Sequence, residues 1–267
     1  MEDLIGRIEE AAREAGRIIL REGGAREFRK EGHFNFVTEA DLHVQEALKR
    51  CLGEILPEAV FYAEEQENAR LTEAFTWIVD PIDGTLNFMR SRDCSAVSIA
   101  LLKDREPVAG VIYDPFRDEM FAAEKGRGAY RNGHRLAVPG HTFENAMIAF
   151  GTSPYNSALA RETMARATRF LLEAGDLRRT GSAAIDLCSV ACGRSDVFFE
   201  LQLSPWDFAA GALIVEEAGG VFLQFREKER TFDKKTAILA CCPSCLKDAL
   251  RILNGGEINI VSEAETL

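Results

Sequence analysis

The 267-residue chain is poor in histidine, in tryptophan and in positive charge. Its four histidines, His33, His43, His134 and His141, are scattered, and no Cys/His pattern of the kind that holds zinc arises from them. Lysine and arginine number 32 against 43 acidic residues, for a formal charge of −11. A general nucleic-acid binder carries a basic stripe, so direct nucleic-acid binding is not expected. No apolar run approaches the length that spans a membrane. The opening MEDLIGRIEEAAREAG is charged and amphipathic rather than a secretory leader, so the expectation is a soluble, cytoplasmic protein without a membrane partner. Repeats, low-complexity segments and long linkers are also missing.

Cysteine is not scarce, but its pattern is uninformative. The seven residues, Cys51, Cys94, Cys188, Cys192, Cys241, Cys242 and Cys245, are an odd number unevenly spread, which fits reduced and mostly buried thiols rather than a disulfide framework. CCPSC contains one CxxC, Cys242 to Cys245, without a second pair at zinc-like spacing. Cys242 reads as the end of the strand AILAC, and Pro243-Ser244 as the start of a last helix, LKDALRIL.

With 46% hydrophobic residues the chain can bury a sizeable core, in one large domain or two fused lobes. Apolar residues from Leu4 to Ile19 recur at helical spacing and predict an amphipathic helix over residues 3–20. Thr38 predicts the cap of a second helix, from about Asp41 to Leu52. AVFYAEE, FTWIVD, SAVSIALL, PVAGVIYD and EMFAAEK read as strands, and Asn132-Gly133 as a two-residue hairpin turn. This N-terminal α+β lobe, 1–139, is expected to hold an antiparallel sheet. From 140 to 255 strands alternate with helices: SALARETMARATRFLLEAG, SAAIDLCSVACG capped by Ser182, and PWDFAAGALIVEEAGG with Pro205 in its first turn. That alternation predicts an α/β lobe, the two lobes forming one catalytic unit. The tail, 256–267, follows no helical or turn logic.

One stretch carries the chemistry. In WIVDPIDGTLNF, residues 77–88, an apolar run ends in two carboxylates three residues apart, Asp80 and Asp83. Glu64-Glu65 follows the strand FYA, and Asp207 lies near the start of a helix. Acids at the ends of apolar elements can converge on one rim of a layered fold, and a divalent cation offsets their repulsion. Oxygen-only ligands suit magnesium or manganese. Gly84-Thr85 opens a short helix whose N–H groups suit a phosphate-sized anion. Metal ions and phosphate in one place suit metal-assisted phosphoryl transfer. Taken singly, each piece has a plainer explanation. DPIDG is also a turn pattern, Glu64-Glu65 a solvated loop, and Asp207 an acid in a helix's first turn.

EE (64–65), DPIDGTLNF (80–88) and SPWDFAAGALIVEEAGG (204–220), in this order, resemble the inositol monophosphatase family of magnesium-dependent, lithium-sensitive phosphatases. KEGHFNFVTEAD (30–41), YDPFRDEMFAAEKGRGAYRNG (113–133) and RTGSAAIDLC (179–188) are similar to family segments as well. The resemblance runs from the first helix to at least Cys242. It implies a layered αβαβα sandwich and a homodimer. It implies two to three Mg2+ per subunit: one on Glu64, Asp80 and the carbonyl of Ile82, one on Asp80, Asp83 and Asp207, and a weaker third on Glu64. Thr85, helped by Asp41, would hold the attacking water, and Gly84 and Thr85 the phosphate. Gly181, Ser182 and Ala183 would line the substrate side, Glu200 would accept hydrogen bonds from substrate hydroxyls, and Lys30 would stand on an entrance loop. Lys30 as an exposed lysine, Glu200 as a strand end, Ser182 as a helix cap and Asp41 as a first-turn acid are the plainer alternatives.

Leu86, Asn35, Ala63 and the charged Arg90-Ser91-Arg92-Asp93 depart from the family pattern, and none of them removes a ligand. Asn87-Phe88 after Gly84-Thr85 resembles the branch acting on inositol phosphates, and Glu200 favours a neutral polyol over an anionic nucleotide. The expected reaction is hydrolysis of inositol 1-phosphate. The alternatives are fructose-1,6-bisphosphatase or dual activity, with Arg178 or Arg179 meeting a second phosphate, then histidinol-phosphate or nucleotide 3′-phosphate hydrolysis. A role of another class is regulatory binding to RNA polymerase, with residues 90–93 as surface.

Overall fold

The computed structural model describes residues 4–23, 27–29 and 36–255. Lys30, Asn35 and the tail 256–267 lie outside the described residues. In chain order the elements begin with α1 (Leu4–Arg21), β1 (Glu27–Arg29), β2 (Phe36–Thr38) and α2 (Glu39–Ile55). There follow β3 (Val60–Ala63), β4 (Thr76–Asp83), α3 (Thr85–Met89), β5 (Ala96–Lys103), β6 (Glu106–Asp114), β7 (Glu119–Glu124), β8 (Gly128–Arg131) and β9 (His134–Arg135). The second half comprises β10 (Met147–Phe150), α4 (Ala160–Glu173), β11 (Asp176–Arg178), α5 (Ala183–Ala191), β12 (Val197–Leu203), α6 (Pro205–Glu217), β13 (Val221–Leu223), β14 (Thr236–Cys241) and α7 (Leu246–Leu253).

The first sheet runs β3-β4-β5-β6-β7-β8-β9, and the second β11-β10-β12-β14-β13. The expectation of an antiparallel first sheet needs one correction: β3 pairs with β4 in parallel. The chain leaves β3 at Ala63 and re-enters at Thr76, so the connection crosses back instead of turning as a hairpin. All other neighbours in that sheet are antiparallel. Asn132 and Gly133 form the hairpin turn with φ of 48 and 77, the left-handed backbone that an Asn-Gly turn supplies at least cost. The second sheet is mixed, with β10 parallel to β11 and β12, and β14 antiparallel to β12 and β13.

Side-chain parity sorts the residues into five layers. On β4, Trp77 and Val79 face α1 and α2, packing with Ile8, Ala15, Val44 and Leu48. Ile78 faces the other way, into a core that holds α5 and α6 against both sheets, through Leu187, Phe208, Leu213, Phe198 and Ile238. The outer face of the second sheet carries α4 and α7, with Phe170, Phe199, Leu239 and Ile252 between them. The order is therefore helix, sheet, helix, sheet, helix. All of α6 from Phe208 to Val215 is buried, because this helix is covered on both sides.

The central layer sits very close to the first sheet. A Cβ placed on Gly110 of β6 would lie 2.9 Å from the carbonyl oxygen of Ala210 in α6. Gly110→Ala must push α6 off the sheet. It is expected to cost about 1–3 kcal/mol, the range for overpacking a tight core, read as a lower denaturation midpoint with an unchanged denaturant slope.

Candidate active site

Strand β4 delivers the two aspartates. A regular strand alternates its side chains, so residues three apart face opposite sides. Asp80 and Asp83 do not, because the register against β5 slips between them: Asp80 pairs with Ser98 and Asp83 with Ala96. Three steps on β4 match two on β5. This bulge at Pro81-Ile82 turns Asp83 back to the side of Asp80, and proline is tolerated at such a bulge. The strand does not end at Asp80; it runs through Asp83.

Asp207 completes the group. One carboxylate oxygen from each of Asp80, Asp83 and Asp207 lies within 4.8 Å of the others. Each of these acids, and Asp41 beside them, has one oxygen tethered by protein donors. Ile82 N–H donates to Oδ1 of Asp80 at 3.0 Å. The hydroxyl of Ser182 and the N–H of Ala184, at 2.7 Å, donate to Oδ2 of Asp83. Ser204 N–H donates to Oδ2 of Asp207 at 2.7 Å, at the start of α6. Thr38 donates to Oδ2 of Asp41 from its N–H at 2.7 Å and its hydroxyl at 2.6 Å, at the start of α2. Asp41 and Asp207 each hold the third position of their helix, where a capping box puts an acid. These donors fix one oxygen of each acid; the other faces the cleft in Asp80, Asp83 and Asp207 and meets Thr85 in Asp41.

Asp80, Asp83 and Asp207 share a cleft of about 560 Å3 with the other candidates, while Asp41 lies behind its wall. Glu64, Ile82, Gly84, Thr85, Gly181, Ser182, Ala183 and Glu200 all line it. Glu64 stands outside the 4.8 Å trio, yet its charge bears on Asp80 and Asp207. The hydroxyl of Thr85 lies 3.3 Å from Oδ1 of Asp41 and 3.1 Å from the carbonyl oxygen of Ile82, and donates to one of them at a time. Gly84 has φ of 90, and its absent side chain leaves room for the carbonyls of Cys94 and Gly181. The helix that follows, α3, has only five residues, so any pull on an anion comes from the first N–H groups and not from a long helix dipole. Of the arginine pair, Arg179 lines the cleft, while Arg178 is exposed and bound to Asp176.

Glu200 is held on another part of the wall. Ser153 N–H donates to its Oε1 at 2.6 Å. A Cβ on Gly151 would sit 1.8 Å from its Oε2, so only glycine admits this carboxyl. Sequence reasoning passed over Gly151 and Ser153, which lie in a loop 47 residues or more from their partner and carry no motif of their own. It also passed over Asp186, whose buried Oδ1 has no hydrogen-bond partner among the described residues, and over Tyr155 and Lys235 at the mouth of the cleft. Asn87, read as a pointer to the substrate, mainly ties loops together, donating to the carbonyls of Cys94 at 2.8 Å and Thr180 at 3.0 Å. Phe88 is core.

Burial dominates the electrostatics. It pushes Asp80 and Asp207 well above the usual carboxylate range, with the neighbouring acids adding to the shift. Asp83 rises to about 6, restrained by the bonds from Ser182 and Ala184. Glu200 rises to about 7, restrained by Ser153. Acids this close, mostly buried and with no lysine or arginine paired to the trio among the described residues, form a site suited to a cation. The donors are all oxygens, which fits a hard divalent ion such as magnesium and not zinc. Asp80, Asp83 and Asp207 could hold it, and Glu64 lines the same cleft outside that trio.

The family model described as "Inositol monophosphatase family" matches residues 1–252. The chain belongs to the inositol monophosphatase family. It is 38% identical over 276 residues to inositol monophosphatase 2 of Solanum lycopersicum, across 99% of this chain and 100% of that protein. It is 39% identical over 221 residues to the Nus factor SuhB of Escherichia coli (strain K12), across 80% of this chain and 82% of that protein. Its fold matches the crystal structure of extragenic suppressor protein suhB from Bartonella henselae with a TM-score of 0.86 and 33% identity, covering 95% of this chain and 99% of that one. The family is one of phosphatases dependent on divalent metal, and the acid cluster lies where such chemistry would occur.

The raised acids set a pH dependence for the metal-stripped protein. A carboxyl whose folded pKa is raised stabilises the fold below its unfolded value, and that stabilisation is lost as pH rises through the folded value. For Asp83 the window runs from 3.8 to about 6, and for Glu200 from 4.5 to about 7. Metal-stripped protein is expected to melt at a lower temperature at pH 8 than at pH 5. Added magnesium should raise the melting temperature more at pH 8 than at pH 5, as differential scanning calorimetry would read.

Proposed function

We propose that the chain is a magnesium-dependent phosphomonoesterase that hydrolyses inositol 1-phosphate to inositol and phosphate, working in the cytoplasm as a homodimer. The observation that carries this reading is one cleft with two kinds of acid. The trio of Asp80, Asp83 and Asp207 suits a metal and the phosphate it draws, while Glu200, held apart on Ser153, suits neutral hydroxyls. The similarity to inositol monophosphatase 2 along the whole chain supports it. Seven thiols without a disulfide suit a reducing compartment.

The residues divide the work. The N–H groups of Gly84 and Thr85 bind phosphate oxygens. The attacking water passes a proton to the Thr85 oxygen as the Thr85 proton passes to Asp41, whose burial raises its pKa and makes it the better base. The water oxygen bonds to phosphorus, the bond from phosphorus to the inositol oxygen breaks, and a proton returns to that oxygen. Glu200 accepts hydrogen bonds from ring hydroxyls and sets the ring's orientation. Magnesium, when bound, supplies the positive charge that draws the phosphate in and lowers the pKa of water.

A second reading is favoured by Arg179 and Lys235, cations lining the same cleft. They suit a second phosphate, as in a sugar bisphosphate, and so dual activity.

A phosphate-release panel over inositol 1-phosphate, fructose 1,6-bisphosphate, histidinol phosphate and 3′-phosphoadenosine 5′-phosphate separates these readings. No release from any of them in magnesium would sink the proposal. Asp83→Asn keeps an oxygen to accept from Ser182 and Ala184 but loses the charge. It is expected to fold normally and to lose more than about 100-fold in kcat, since changes outside a metal's own ligands already cost 10–100-fold. Rescue of a deletion phenotype by the same variant would place the cellular role in binding, as the name Nus factor suggests for the Escherichia coli relative.

A further inference from the structure

Tyr155 is one of the exposed large hydrophobic side chains among the described residues, with 58% of its surface exposed, and it stands on the wall of the catalytic cleft. No step above uses it. Its loop, between β10 and α4, is anchored on both sides of Pro154-Tyr155. Before them, Ser153 takes φ of 44, donates its N–H to Glu200, and accepts at its hydroxyl from Gln202 N–H at 3.0 Å. After them, Asn156 donates its side-chain amide to Oε1 of Gln202 at 3.1 Å and its N–H to the Ser153 carbonyl at 2.9 Å. The loop is thus bound to β12 through the residue that reads substrate hydroxyls and the residue two beyond it.

The ring has a cation beside it: the ammonium of Lys235 lies 5.7 Å from its centroid, a weak attraction at an exposed site. Although much of the side chain is exposed, burial in the cleft wall and then the charges of Glu64, Asp207, Asp80 and Asp83 hold the phenol above its usual range. It stays neutral and adds no charge to the acid cluster. An exposed aromatic face on an anchored loop, beside a carboxylate that accepts hydroxyls, suits a ligand with one apolar face and a polar rim. Cyclic polyols and pyranose sugars have such a C–H face; open-chain phosphates do not.

We propose that Tyr155 is a specificity-determining residue whose ring packs on the C–H face of a cyclic polyol or sugar phosphate while Glu200 reads the hydroxyls. The proposal rests on the phosphomonoesterase reading and adds the part of the substrate that this reading leaves unbound. Steady-state kinetics of the wild type, Tyr155→Ala and Tyr155→Phe on inositol 1-phosphate and on glycerol 2-phosphate test it. Tyr155→Ala should raise KM about tenfold for the cyclic substrate, equivalent to about 1.4 kcal/mol, with kcat within about threefold and KM for the open-chain substrate unchanged. Tyr155→Phe should restore the wild-type KM, because the ring and not the hydroxyl makes the contact. An equal rise in KM for both substrates, or no rise for either, overturns the proposal. If the wild type releases no phosphate from inositol 1-phosphate, the substrate reading fails separately. Calorimetric titration of that ligand into wild type and Tyr155→Ala then tests the ring contact without turnover, and equal affinity for the two proteins overturns it.

Discussion

Three carboxylates within 4.8 Å of each other, Asp80 and Asp83 buried and Asp207 half-buried, set the terms for the rest of the molecule. Bringing such groups together and away from water is unfavourable twice over, through desolvation and through repulsion. The fold accepts this by spending donors on them. Backbone N–H groups from β4 and from the first turns of α5 and α6, with the Ser182 hydroxyl, each bind one oxygen of an acid. What is left over is a set of oxygens with negative charge and too few protein partners. A divalent cation and a phosphate are the species that such a set accommodates together.

The layered architecture makes those donors available. The central helices α5 and α6 are packed between two sheets, so their axes cannot tilt freely, and both begin at the cleft. Their first-turn N–H groups therefore arrive with fixed direction. Close contacts between layers, as at Gly110 against Ala210, keep the helices at that distance from β4. On the substrate side the same economy recurs: Glu200 anchors the loop that carries Tyr155, and Gly151 leaves it the space to do so. The carboxylate proposed to position the polyol thus also positions the loop.

Much of this was legible residue by residue. Thr38 as a cap, Asn132-Gly133 as a turn, Ser182 as the start of α5 and Pro205 as the start of α6 are local signals, governed by φ preferences and by short-range hydrogen bonds. The acid motif stood out because carboxylates rarely follow a dry strand without cause. The parallel pairing of β3 with β4 was not legible, since strand direction depends on where an irregular connection runs and not on the strands themselves. Ser153, Gly151, Tyr155 and Asp186 were missed for a related reason. Each is ordinary in its own segment and acquires a role only from a partner dozens of residues away or from the shape of the cleft.

The sequence alone determined the ligand chemistry: oxygen donors, their order along the chain, the small residues at 84–85, and the family they signal. Local rules suffice there because the motif residues lie next to the turns and caps that define them. The tertiary structure decided how the donors meet. Asp80 and Asp83 share a side only because β5 forces a bulge opposite Pro81-Ile82, and register between strands is a property of the pair. Asp207 joins them only because α6 is trapped between two sheets, and Glu200 joins the cleft only because β12 lies in the second of those sheets, beside β10 and its loop. Convergence of distant acids depends on packing across layers, which no single stretch of sequence encodes.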